Sequence, residues 1–191
     1  MSEHPGPESD SSGHAEATES PAPEPEVVDG QALVTHLVDA GVLVERHDDL
    51  QLTDEFRENW RERISRFRGE ERAHEQMATI LDIDPEELTL DASGDRFVVS
   101  HESTELGDWP SWPAFVADLA LQPTMAGRLP LWDRLDSLSR GELLSRLRAF
   151  LETCPICEEP LLAEERDGGP EGEEVSIACV DCGRVLVRGR L

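Results

Sequence analysis

All four cysteines of the chain lie in its last 38 residues, as "CPIC" at 154–157 and "CVDCG" at 179–183. A C-x-x-C turn holds two sulfurs on the same side of a tight knuckle. Two such knuckles facing each other complete a tetrahedron of thiolates, the set Zn²⁺ takes in structural sites, with sulfurs about 2.3 Å from the ion. Twenty-one residues separate the pairs, just above the usual spacing of about 15–20. The segment "RDGGPEGEE" at 166–174 reads as the tip of a hairpin and accounts for the excess. "EVSIA" reads as a strand entering the second knuckle, and "RVLVRGRL" as a strand leaving it. Gly183 stands between them, where a tight turn needs positive φ. Cys154, Cys157, Cys179 and Cys182 are therefore the expected ligands of a structural Zn²⁺. Four thiolates leave no coordination position for water, so zinc catalysis is not expected. In so small a module the metal would supply most of the folding energy, about 10–16 kcal/mol in comparable sites.

The pattern C-P-x-C…C-x-x-C-G resembles a zinc ribbon over residues 153–191. Two other uses of the same cysteines are weaker. A rubredoxin-like iron site carries several aromatics, whereas 153–191 contain none, and Cys157 is followed by Glu158 rather than Gly. A pair of redox dithiols would place a knuckle at the head of a helix in a βαβ unit, and neither is so placed.

The chain carries a formal net charge of −25, from 42 acidic and 17 basic residues. Every basic residue is Arg; there is no Lys. At low salt such a chain repels itself; at molar salt, with a Debye length of about 3 Å, the repulsion is screened. In composition it resembles proteins of salt-in halophilic archaea. In layout it resembles uncharacterised haloarchaeal acidic proteins that end in a four-cysteine zinc ribbon, a resemblance that implies no activity. On this reading acidity reflects the solvent and neither demands a cationic partner nor excludes nucleic acid. The start of the chain has no basic segment followed by an apolar one, and no apolar run approaches 18 residues, so the expected location is cytoplasmic, away from membranes. Thiols there stay reduced, which disfavours two disulfides.

The expected architecture is α+β: a disordered acidic tail at 1–26, a mostly helical central domain at 27–152 with two small β-hairpins and a sub-boundary near 82, and the small β ribbon at 153–191. The tail holds seven acids and no base, and nothing in it offsets the entropy of ordering; His4 and His14 read as incidental. Ala32, Leu33, His36, Leu37 and Ala40 share a helical face, with Asp29 as cap and Gly41 beyond the end. "VLVERHDDLQLT" reads as strand, turn, strand. Thr53 caps a long helix bearing Phe56, Trp60, Ile64 and Phe67, with Met77, Ile80 and Leu81 closing it and Gly69 splitting it in two. Asp84 and Pro85 open a short turn, followed by a hairpin with Ser93-Gly94-Asp95 at its tip. "GDWPSWP" reads as a rigid loop, "PAFVADLALQP" as a helix ended by Pro123, and "LPLWDRLDSL" as a short helix. Ser139 and Glu142 suggest a capping box for a final helix bearing Leu143, Leu144, Leu147 and Phe150.

Two surfaces invite a functional reading. Between residues 57 and 72 there are six Arg and four Glu, and Arg57, Arg61, Arg68 and Arg72 are candidate contacts to nucleic acid or a partner. The helix and hairpin of residues 29–56 resemble the late part of a winged-helix module, which implies nucleic-acid binding; the two helices such a module needs before this point are not expected from residues 1–26. The competing account is a solvated helix laced with Glu–Arg pairs. On the last strand alternation puts Arg184, Leu186, Arg188 and Arg190 on one face, with Val185 and Val187 on the other; the Arg either touch a partner or balance the acidic hairpin. Trp109 and Trp112 offer an exposed patch or, more in keeping with Trp beside Pro, a packing plug. His101, Glu102 and Asp108 match no catalytic spacing, and no phosphate loop, nucleophile elbow or H-E-x-x-H is present. The expected function is a non-catalytic zinc-ribbon adaptor with a protein partner; the alternative is a DNA- or RNA-associated regulator.

Overall fold

The computed structural model describes residues 30–47, 49–93, 96–167 and 173–190. The expected tail at 1–26, the Asp29 cap, Asp48, the hairpin tip at Gly94-Asp95 and residues 168–172 of the ribbon hairpin lie outside them.

The first helix, α1 (Gly30–Asp39), is followed by a hairpin of β1 (Leu43–Arg46) and β2 (Asp49–Leu52). Gly41 sits between them at φ +67°, as the αL residue after a helix requires. Thr53 then does two jobs: its Oγ1 accepts from the Phe56 N–H and donates to the Gly41 carbonyl, which fastens the start of α2 (Asp54–Arg66) to the end of α1. Gly69 divides the long apolar pattern, and α3 (Glu70–Leu81) begins just after it.

A 3-10 turn at Pro85–Glu87 leads into β3 (Leu88–Ser93), β4 (Arg96–His101) and β5 (Thr104–Trp109), an antiparallel sheet in that order. The second hairpin is thus extended by a third strand where the sequence read as loop. It does not alternate, because Gly107 serves Trp109: a Cβ at 107 would meet the Trp109 ring at 2.5 Å.

The centre of the molecule is α4 (Trp112–Arg128), capped by the Ser111 hydroxyl. Every residue from Pro113 to Leu121 is buried, and α4 touches α2, α3, α5, β4, β5 and the last strand. Pro123 does not end it. Pro lacks the N–H that would bond the carbonyl four residues back, yet the helix continues because Met125 and Leu129 beyond it are buried in the core. After a 3-10 turn at Trp132–Arg134, α5 (Ser137–Arg148) is capped by Asp136, whose Oδ1 accepts from the Ser139 N–H at 2.7 Å. The cap therefore lies three residues before the expected Ser139.

The C-terminal sheet is antiparallel, β6 (Leu161–Asp167), β7 (Glu173–Cys179), β8 (Val185–Arg190). Val185 pairs with Ala178 and Val187 with Ile177, so Leu186 is an extra residue, a β-bulge. The bulge turns Leu186 inward, where it is fully buried in the same apolar cluster as Trp60, Phe115 and Leu147. Simple alternation, which put Leu186 on a face with Arg184 and Arg188, breaks at this point: Leu186 is buried while both Arg are exposed.

Candidate metal centre

The two knuckles are built alike. In the first, the Cys154 N–H donates to Glu159 O and the Glu158 N–H donates to Cys154 O. In the second, the Cys179 N–H donates to Arg184 O and the Gly183 N–H to Cys179 O. The fifth residue of each knuckle has φ +64°, Glu158 in one and Gly183 in the other. Glycine takes that conformation freely; a residue with a Cβ carries roughly 1–2 kcal/mol of strain. Glu158 is held there by Arg68 of the α2–α3 junction, whose Nη2 donates to Glu158 and whose Nε donates to the Pro155 carbonyl at 2.8 Å. The same guanidinium pulls the Glu158 carboxyl below its ordinary range, first by hydrogen bond and then by charge.

The four sulfurs converge. Cys154 and Cys182 Sγ are 3.9 Å apart, Cys157 and Cys179 Sγ 3.3 Å, and all four lie within 4.8 Å of one another. A tetrahedron with sulfurs about 2.3 Å from a central ion has edges of about 3.8 Å, so the set fits a single tetrahedral ion. Among the described residues no His, Asp or Glu joins the cluster. The cysteines are not equally placed: Cys154 and Cys179 are buried, Cys157 is half-buried and Cys182 is exposed. Burial pushes the Cys154 thiol up to about 12. Cys179 also feels desolvation, but the backbone N–H groups of Cys182 and Asp181 outweigh it and bring the thiol down to about 7. The four residues could hold a metal ion, and the ion would supply the cross-link that this module's sparse apolar contacts do not.

The module is joined to the helices by more than Leu186. The Ser111 hydroxyl, besides capping α4, donates to the Val185 carbonyl. Immediately before the module, Glu152 pairs with Arg61 at 3.4 Å and with Arg57 at 3.8 Å, and Arg57 also pairs with Asp54 at 3.4 Å. Of the Arg singled out on α2 and after it, Arg57, Arg61 and Arg68 are thus turned toward the chain's own acids. Arg72 lies on α3, away from that seam, and has no acidic partner among the described residues. Arg184 and Arg188 are exposed on the ribbon; the side chain of Arg190 lies outside the described residues.

Trp109 and Trp112 pack rather than project. Trp109 meets Phe115 edge-on at 5.0 Å, and Trp112 meets Phe97 at 5.2 Å. Trp109 Nε1 donates to Asp118 Oδ2 at 2.9 Å. That carboxylate belongs to a buried pair sequence reasoning missed, Asp118 of α4 with Arg148 of α5, 3.2 Å apart. The contact is coulombic rather than an aligned hydrogen bond, since Arg148 Nη1 and Asp118 Oδ1 have no hydrogen-bond partner. Burial drives the Asp118 carboxyl up to about 6, against the pull of Arg148 and the Trp109 N–H. The signal available was one acid inside the apolar run "FVADLALQ". His101, Glu102 and Asp108 do not converge: His101 leans on Glu87, Glu102 forms a turn, and Asp108 binds Arg96.

Residues 32–149 match the model described as a family of unknown function (DUF8054), central domain. The chain belongs to the DUF8054 family. The DUF8054 match begins in α1, ends just after α5 and stops short of the first cysteine, so the metal centre rests on its own geometry. No curated protein and no solved structure matches the chain. No helix among the described residues is long and apolar enough to cross a membrane.

Proposed function

We propose that the protein is a non-catalytic adaptor of a halophilic archaeal cytoplasm, in which a structural Zn²⁺ on Cys154, Cys157, Cys179 and Cys182 holds a ribbon rigidly against the DUF8054 central domain. The observation that carries this reading is the closure of the cysteine site: four sulfurs within 4.8 Å of one another and no further donor among them. An ion so enclosed has no open position at which to activate water or substrate. The seam of Leu186, Ser111 and Arg68 supports the second half, because it makes ribbon and helices one body that offers a fixed surface to a protein partner. The charge of −25 supports the high-salt setting.

The alternative is a nucleic-acid regulator using Arg57, Arg61, Arg68 and Arg72 or the last strand. The internal pairing of the first three argues against the helix; the exposure of Arg184 at the start of the last strand keeps that strand open to test. The experiment is elemental analysis of the purified protein, then titration with duplex and single-stranded DNA and RNA from about 0.2 to 2 M KCl, a range spanning weak to strong screening. One zinc per chain and no binding while the protein stays folded is the expected result. Binding abolished by Arg184→Ala/Arg188→Ala would replace the adaptor with the regulator, and iron in place of zinc would overturn the assignment of the ion.

A further inference from the structure

β3 is an edge strand of its sheet, and the ladder fixes which of its backbone groups face outward. Glu102 and Ser103 both have positive φ, 47° and 69°, and join His101 to Thr104. In a two-residue I′ turn the flanking pair exchanges both hydrogen bonds. His101 therefore points its backbone at β5, as do Val99 and Phe97 at alternate positions, while Ser100, Val98 and Arg96 point at β3. The bulge in this pairing adds its extra residue to β5 and leaves the alternation along β4 intact. On β3 the partners Thr89, Asp91 and Ser93 face β4, so Leu88, Leu90 and Ala92 face away from it. Two contacts agree: the Leu88 N–H donates to Pro85 O, and Leu88 O lies 2.9 Å from His74 Nε2, which in that tautomer donates. The outward N–H and C=O groups of Leu90 and Ala92 have no hydrogen-bond partner among the described residues.

This unpaired edge borders a groove of about 470 Å³. Glu70, Glu71 and His74 of α3 form the opposite wall, and Phe97 and Trp112 also line it. The groove therefore combines three things: a row of free backbone groups, an apolar lining and an acidic rim. Free edge groups bind an added strand through main-chain hydrogen bonds, while pockets for alternate side chains select its sequence. The rim sets the charge of the occupant. A strand seated in the groove meets Glu70 and Glu71 at contact range, where even the Debye length of about 3 Å left by molar salt does not hide them, so the chain's own residues 1–26, with seven acids and no base, are disfavoured there. We propose that the groove between α3 and the free edge of β3 binds an extended segment of a partner protein, alternating apolar and basic residues, as a fourth strand. The inference rests on the adaptor reading and adds where the partner sits and what chemistry it carries.

The test uses the full zinc-loaded chain and two fluorescent heptapeptides, one alternating Arg and Val, the other alternating Glu and Val. The basic peptide is expected to bind saturably and to slow amide exchange at Leu90 and Ala92. Ala92→Pro removes an N–H that faces outward and lies outside the β3–β4 ladder, so the sheet tolerates it, as edge strands do. It should weaken binding at least about tenfold, 1.4 kcal/mol, with an unchanged circular dichroism spectrum. Should that variant misfold, Glu70→Gln/Glu71→Gln, on exposed positions, should still lower affinity and flatten its salt dependence. Equal binding of both peptides, no saturable binding, or binding indifferent to these variants overturns the proposal. A concentration-dependent dimer abolished by Ala92→Pro overturns it in favour of a second copy. Zinc-dependent turnover of a substrate would instead end the adaptor reading and leave the peptide result standing.

Discussion

The central domain and the ribbon are held together by different means. Around α4 the chain buries Trp60, Phe56, Phe115, Leu121 and Met125 completely, and the Trp60 indole N–H finds the Ala117 carbonyl at 3.0 Å inside that core. The ribbon has no aromatic residue, and among its described residues only Cys154, Pro155, Cys179 and Leu186 are buried. One part is stabilised by removing apolar area from water; the other depends on a cross-link between four sulfurs. The difference teaches where each part is vulnerable: the first to cavities, the second to chelators and acid.

The largest expected effect follows from removing the metal. Chelation, or Cys154→Ser with Cys179→Ser, should abolish amide protection throughout β6, β7 and β8 while leaving the helices folded, since sites of this kind contribute about 10–16 kcal/mol. Hydrogen exchange read strand by strand checks it; full protection in the stripped ribbon would erase the comparison. Next, Trp60→Ala should cost about 3–5 kcal/mol and remove the indole's bond to the Ala117 carbonyl, lowering the urea midpoint of the helices. Leu186→Ala should cost about 2–5 kcal/mol, and it sharpens the comparison: zinc content should stay unchanged while the ribbon's amides exchange faster, because the joint weakens and the metal site does not.

A smaller effect concerns Asp118. Folding raises its carboxyl, so the folded state holds the proton more tightly than the unfolded one. The stability this group supports is present below about pH 4 and declines as pH rises through about 6. The difference between those two values is worth roughly 3 kcal/mol at most. Carboxyl-carbon NMR should show a midpoint near 6 for Asp118, and a midpoint in the ordinary carboxyl range would sink the claim. The smallest change expected is from Glu158→Gly. It relieves left-handed strain of roughly 1–2 kcal/mol and loses the solvent-screened pair with Arg68, which offsets part of that gain. Thermal stability should move little, and the first knuckle should become more mobile in relaxation measurements.

How much of this was legible depends on how local each cause is. The cysteine cluster could be read because two C-x-x-C knuckles carry their own geometry. The Thr53 cap and the break at Gly69 were legible for the same reason. Pro123 misled, because what carries α4 past it is the burial of Met125 and Leu129 against residues distant in sequence. β5 was hidden because Gly107 answers to the Trp109 ring rather than to strand alternation. The Asp136 cap was missed because Ser139 offered an equally good local pattern. In the Arg57–Arg72 stretch the charges were visible, but their partners Glu152 and Glu158 lie about ninety residues on. The family match covers the central domain and adds no chemistry.

The bulge at Leu186 makes the few residues after Cys182 a ruler. One end is pinned by a metal ligand and the other by a side chain sunk in the core. Along this stretch the count of residues matters more than their identity: Arg184 and Val185 can vary in character, but one residue more or fewer would offer the core a different side chain or pull a sulfur out of the cluster. Length itself is the quantity such a joint holds fixed.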